Sequence, residues 1–125
     1  MKDAGMLSRV ADALYWMARY LERAEHSARV LAVKLDAMLD QTPEDAAEAW
    51  IRVAGALAWP MTGAMEGQPI DIARQLTLDK AHASSIMTSV RLARDNARQV
   101  RELISTEMWG QINRLHLKTN ASICA

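Results

Sequence analysis

The residue types that could do chemistry begin with two carboxylates and an arginine, Glu22, Glu25 and Arg29. On a helix with Leu7 at zero, Glu25 falls at about 0°, Arg29 near 40° and Glu22 near 60°. The apolar residues of this stretch occupy roughly −120° to +40°, so Glu25 and Arg29 are predicted inside or beside a buried face. A buried glutamate needs a partner, and the i,i+4 spacing predicts an ion pair. The pair is either a structural device that fixes helix register or part of a ligand pocket.

A later stretch carries groups that could complement those carboxylates. Its arginines, from Arg91 to Arg101, recur at spacings of three, four and three and form a basic column on a helix. Such a column favours a solvated or intramolecular ion-pair face, or contact with phosphate or with a partner's acids. The polar cluster predicted between the two stretches comprises Glu22, Glu25, Arg29, Arg94, Asn96, Arg98, Arg101 and Glu107.

Two tryptophans are expected on the polar sides of their helices, Trp16 and Trp109. Trp16 falls near 180° on the wheel and Arg23 near 160°, on the side opposite the apolar stripe. Amphipathic rings on a polar face are typical of interface anchors. We therefore predict an outer interaction surface made of Trp16, Arg19, Arg23 and Trp109.

The other chemistries that the sequence could suggest lack a necessary part. Glu22, Glu25 and His26 resemble part of a carboxylate-bridged metal site, but a di-iron bundle needs Glu-x-x-His on two helices. The chain has no phosphate-binding glycine loop and no Gly-x-Ser-x-Gly, and Cys124 lies on the tail. We therefore predict no catalytic residue, metal or cofactor, and favour a non-enzymatic role while leaving an enzyme subunit open.

Composition sets further bounds on this 125-residue chain, which suits one small domain over 1–125. Fifteen acidic and fifteen basic residues give a formal charge of zero, and no aromatic interleaves the arginine column, so nucleic acid is not an expected partner. A single cysteine is compatible with a reducing compartment. No stretch reads as a secretory signal or a membrane span, so we expect a cytoplasmic protein with no membrane partner.

The elements that must position these residues are helices. Apolar residues repeat at heptad spacing from Leu7 onward without Gly or Pro, which predicts a helix over about 7–40. Thr42 before Pro43 and two acids predicts the start of a second helix that ends near Trp59-Pro60.

Farther along, Gly63, Gly67 and Pro69 predict a loop over 61–69, and a short helix follows over 70–78. Ser84 or Ser85 is expected to cap a second long helix over about 85–113. The prediction is an all-α bundle built on two long helices, about 7–40 and 85–113, with one or two shorter helices between them. Residues 1–6 and 118–125 are expected to be frayed.

Two blocks of the sequence carry recognisable motifs. The first block, residues 6–31, reads MLSRVADALYWMARYLERAEHSARVL and contains Glu22-Arg23. The second block, residues 84–113, reads SSIMTSVRLARDNARQVRELISTEMWGQIN and contains an Ala-Arg-x-Asn-Ala-Arg run before a Ser-x-Glu-x-Trp. Both blocks resemble the bacterial alpha-E family, an all-helical domain of unknown function named for a Glu-Arg motif. The resemblance covers nearly all of this chain but only the first part of a typical member, which implies a short or truncated alpha-E domain.

The resemblance implies partners more than a reaction. Alpha-E proteins are encoded beside ATP-grasp-type amide ligases, transglutaminase-like proteins and proteasome-like hydrolases. We therefore expect a non-catalytic helical scaffold, or a peptide-presenting partner, in a peptide-ligation or modification system. Two alternatives stay open: an enzyme subunit whose Arg/Glu cluster binds a nucleotide or acidic peptide, and a structural protein that forms a homo-oligomer.

Overall fold

The all-α class is confirmed by a computed structural model of the chain, which describes residues 2–57, 69–82 and 84–124. These residues form five α-helices and no strand. In chain order the helices are α1 (Lys2–Met38), α2 (Pro43–Ala56), α3 (Pro69–Leu78), α4 (Ile86–Gln99) and α5 (Thr106–Cys124). In the part of the chain described, no helix combines the length and apolar character that a membrane crossing requires.

The predicted start of α2 is confirmed in its hydrogen bonds. The backbone N–H of Asp45 donates to Thr42 Oγ1 at 3.2 Å, and Pro43 occupies the first turn, where no helical N–H partner is needed. The helix ends at Ala56, and the predicted end at residues 59–60 lies outside the described residues. The short helix predicted over 70–78 is also confirmed, as α3.

Ser85 caps α4, as its type and position predict. Its Oγ accepts a hydrogen bond from the Thr88 N–H at 3.2 Å and donates one to Thr88 Oγ1 at 2.9 Å. Ser85 is fully buried, so these bonds satisfy a hydroxyl that water does not reach.

The single long helix predicted over 85–113 is wrong. Residues 100–103 form turns and residue 104 a bend instead, and the Leu103 N–H donates to the Val100 carbonyl at 2.8 Å. A new helix then starts because the Ser105 Oγ accepts the Met108 N–H at 3.0 Å. Ser105 thus satisfies a backbone donor at the start of α5, and Glu107 in its first turn suits the positive end of the helix dipole.

The expectation that residues 1–6 and 118–125 are frayed stays a prediction, although the described residues at both ends are helical. α1 is already helical at Lys2, and α5 continues to Cys124, so the stretch from residue 118 onward belongs to a helix. Within that stretch, Thr119 Oγ1 donates to the His116 carbonyl at 2.9 Å. Met1 and Ala125 lie outside the described residues.

The chain divides into two compact units, each with its own apolar core. The first unit, Met1–Ala24 with Ser89–Ala125, has a core of three buried residues, Met17, Ala97 and Ile112. The second unit, Glu25–Thr88, is centred on Trp50 of α2, which is 1% exposed. Around Trp50 pack Leu31 of α1, Val53 and Ala54 of α2, and Ile72, Ala73 and Leu76 of α3. The expectation of a single domain stays a prediction.

Candidate functional site

Glu25 and Arg29 form the ion pair that their spacing predicts, but on the surface. Arg29 donates from one guanidinium nitrogen to Glu25 Oε1, and the two side chains are 78% and 61% exposed respectively. Glu22 is exposed as well, with its carboxylate 3.8 Å from the Arg19 guanidinium. The sequence predicts Glu25 and Arg29 inside or beside a buried face; their exposure contradicts the first of these positions, and solvent screening leaves such an ion pair with little effect on stability.

The buried face of α1 is narrower than its apolar stripe. Its buried residues fall roughly between −160° and −80° on the helical wheel, whereas the stripe extends to about +40°. Leu7 and Ala28, which belong to the stripe, are exposed. Glu25 points in the same direction as Leu7 on the helical wheel, and it is exposed as Leu7 is. The buried residues are Ala13, Met17, Ala24, Ser27 and Leu31.

Two arginines of the predicted cluster meet at one aromatic ring in the first unit. The guanidinium carbon of Arg94 lies 5.6 Å from the Trp109 ring centre, and that of Arg101 lies 5.3 Å from it. Arg94 Nε also donates to Asn113 Oδ1 at 2.7 Å, which ties α4 to α5. The cation–π contacts orient both guanidinium groups, and the hydrogen bond to Asn113 further fixes the direction of the Arg94 group.

The Trp109 ring does not lie on an outer polar face, where the sequence prediction placed it, and whether Trp109 contacts a partner stays a prediction. It is half-buried and packs against the core formed by Met17, Ala97 and Ile112. The prediction placed Trp109 by extending one helix from residue 85 to 113, and the break before Ser105 changes the direction in which its ring points. In this position Trp109 orients Arg94 and Arg101.

Asn96, Arg98 and Glu107 stay apart from this ring. The Asn96 side-chain amide donates to the Leu92 carbonyl of its own helix at 2.9 Å. Arg98 and Glu107 are exposed. From the later part of the predicted cluster, the Trp109 ring therefore brings together Arg94 and Arg101, and whether the eight residues act as one site stays a prediction.

His116 on α5 lies in the electrostatic field of the same region. Burial lowers the pKa of His116 below its ordinary value, and the nearby Arg94 charge lowers it further, while Asp95 acts in the opposite direction. One ring nitrogen of His116 is 3.1 Å from the Asn120 side-chain nitrogen. The neutral imidazole is therefore favoured in the folded chain.

Three aromatic rings form a surface patch on α1, close before the Glu-Arg pair. The Trp16 ring centre lies 5.7 Å from that of Tyr20 and 5.4 Å from that of Tyr15, the latter edge to face. Tyr15 is 57% exposed and Trp16 40% exposed. Arg19 and Arg23 are exposed on the same helix. Trp16, Arg19 and Arg23 thus lie at the surface, and we name them with the two tyrosines the aromatic surface.

Sequence reasoning missed the two tyrosines of the aromatic surface. Tyr20 follows Trp16 at i+4, the spacing at which helical side chains are neighbours, and that spacing could have found it. Within the described residues, no group of three or more His, Cys, Asp or Glu side chains could hold a metal ion.

Comparison with known proteins identifies the kind of domain. The model of the Alpha-E family, described as a predicted alpha-helical domain with a conserved ER motif, matches residues 6–124. The motif corresponds to Glu22-Arg23, whose side chains are exposed on α1. Searches of curated proteins and of solved structures each found no match.

Proposed function

The chain belongs to the Alpha-E family, and we propose that it is a non-catalytic helical module that binds a partner protein through the aromatic surface. The partner is an ATP-grasp-type ligase or a transglutaminase-like protein of a bacterial, cytoplasmic peptide-ligation or modification system. The module acts as a scaffold or presents a peptide to that enzyme. The family resemblance supports the kind of partner, and the exposed rings support the place of contact.

The observation that carries the proposal is the exposure of Trp16 between two tyrosines. Tyrosine and tryptophan are enriched among the residues that dominate protein–protein binding, because they bury a large rigid area and keep a polar edge. The contacts of Trp16 with Tyr15 and Tyr20 within one helix also preorganise the rings, so little side-chain entropy is lost when a partner covers them.

The charges around the rings favour an acidic rim on the partner. Arg23 makes no ion pair with a described residue. The ion pair of Arg19 with Glu22 is long, because the guanidinium lies 3.8 Å from one carboxylate oxygen of Glu22. Charged residues at the rim of an interface act mainly on the association rate and its salt dependence. We therefore assign affinity to the rings and steering to the arginines.

The test is binding to an ATP-grasp-type ligase from the same organism, measured by calorimetry with the purified proteins. We expect a complex that Trp16→Ala weakens by about 30-fold or more, as for a central interface residue. Arg23→Gln is expected to slow association and to reduce its salt dependence.

Val33→Ala is the matched control, because Val33 is an exposed apolar residue on the same helix, outside the aromatic surface. It should leave binding unchanged. Absence of both a complex and any change in ligase activity would overturn the proposal. Light scattering on the isolated chain provides a separate arm, since a homodimer abolished by Trp16→Ala would assign the aromatic surface to self-association instead.

A further inference from the structure

The start of α1 and the turns between α4 and α5 enclose a cleft of ≈ 630 Å³ in the first unit. Its size lies within the range of small-ligand pockets. We call it the arginine cleft, and its lining residues are Met6, Arg9 and Val10 of α1 together with the consecutive run Arg98, Gln99, Val100, Arg101, Glu102 and Leu103.

The charge of the arginine cleft is mainly positive, with three arginines and a single glutamate in its lining. Neither Arg9 nor Arg98 forms an ion pair with a carboxylate among the described residues. Arg101 is oriented by the Trp109 ring, 5.3 Å from its guanidinium carbon. Three arginines in the lining of one cleft, of which Arg9 and Arg98 have no described carboxylate partner, favour an anionic ligand, and planar guanidinium donors fit a carboxylate.

Two other lining residues of the cleft are large, apolar and exposed. Met6 is 62% exposed and Leu103 is 64% exposed, although both are large hydrophobic side chains. A neighbouring hollow of ≈ 230 Å³ shares Met6, Val10 and Leu103 with the cleft and adds Leu7, which is 71% exposed, and Asp3. An occupant that covered this surface would gain free energy from burying it.

We propose that the arginine cleft binds the C-terminal end of an apolar peptide. The free carboxylate lies among Arg9, Arg98 and Arg101, and the last apolar side chain enters the hollow beside Leu7 and Leu103. An inorganic phosphate would use the arginines but leave the apolar residues of the cleft uncovered.

The dimensions favour a chain end over a peptide that passes through. The α1 part of the lining runs from Met6 to Val10, a rise of about 6 Å at 1.5 Å per residue. An extended peptide advances about 3.3 Å per residue, so about two residues fit along this wall. The C-terminal residue of a peptide and the residue before it fill that length, and only the C-terminal residue has a main-chain carboxylate.

The cleft shares no residue with the aromatic surface. Binding of a peptide end here requires neither a ligase nor Trp16, so this proposal and the proposed function can fail independently.

The experiment titrates the full chain with acetyl-Val-Leu-Leu carrying either a free C-terminal acid or a C-terminal amide, followed by ¹H–¹⁵N NMR. We expect the acid to shift the amide signals of residues 98–103 and to bind at least about tenfold more tightly than the amide, as the loss of a charge-assisted hydrogen bond implies. Arg98→Gln should weaken binding of the acid by a similar factor. Because Arg98 is exposed, the variant should fold, which circular dichroism checks.

Arg91→Gln is the matched control, an exposed arginine of α4 outside the cleft lining, and should bind the acid like the parent chain. Acetyl-Leu-Glu-Leu-amide tests an internal carboxylate, and binding as tight as that of the free acid would overturn the assignment to a chain end. Equal binding of acid and amide, or equal losses in Arg98→Gln and Arg91→Gln, would overturn the site itself. Inorganic phosphate that binds more tightly than the peptide acid would also contradict the proposal.

Discussion

Ser105→Ala is the substitution that best tests the break between α4 and α5. It should lower the free energy of unfolding if Ser105 caps α5 and raise it if residues 85–113 form one continuous helix. The Ser105 Oγ accepts the Met108 N–H at 3.0 Å, and its backbone carbonyl accepts the Trp109 N–H at 3.1 Å. Alanine keeps the backbone bond but removes the side-chain bond. One backbone donor in the first turn of α5 then loses its protein partner.

The expected cost follows from measured N-cap substitutions, which lie at about 0.5–2 kcal/mol and typically near 1 kcal/mol. For a chain of this length, 1 kcal/mol lowers the melting temperature by about 3–5 °C. If residues 85–113 formed one continuous helix, Ser105 would be an interior position. Alanine would then raise stability by about 0.5 kcal/mol, since it is the better helix former.

The assay is urea denaturation followed by far-UV circular dichroism, with the parent chain measured in parallel. Ser105→Asp retains an acceptor and should match or exceed the parent chain. Thr106→Ala, at the exposed neighbouring position, should change the free energy of unfolding by less than about 0.5 kcal/mol. An unchanged or higher stability of Ser105→Ala would refute the capped break at this residue.

Four further predictions test packing and charge. Trp50→Ala should lower the free energy of unfolding by about 3–5 kcal/mol in the same urea assay, because its buried side chain centres the second unit. Glu25→Gln should change that free energy by less than about 0.5 kcal/mol, whereas a loss of 3 kcal/mol or more would show that its ion pair is buried. In an NMR titration, Arg94→Gln should raise the pKa of His116 and Asp95→Asn should lower it. The pKa of His116 in the folded chain lies below its unfolded value near 6.5. Its contribution to the free energy of unfolding is therefore complete above that pH and declines as the pH falls below it. Urea denaturation at pH 5 and 7.5 checks this dependence.

Local signals explain where the sequence predictions succeeded. The starts of α2 and α4 depend on Thr42 and Ser85, whose hydroxyls bond a backbone N–H three residues ahead. Such a bond needs no distant part of the chain, so residue type and position suffice to predict it. The same holds for the Glu25–Arg29 pair, which is set by one helical turn. The Ser105 cap had this signal too, but the apolar stripe on both sides of it favoured one continuous helix.

What the sequence by itself determined is the helical class, most helix starts and the family, because each depends on near neighbours in the chain or on matched motifs. Which part of an apolar stripe becomes buried depends on what covers it, and that depends on tertiary packing. Packing alone placed Glu25 in solvent, turned Trp109 toward a core, and brought Arg9 and Arg98 into the lining of one cleft. Residues so far apart in sequence share a site only after the chain has folded, so no periodicity within a single helix could have revealed that cleft.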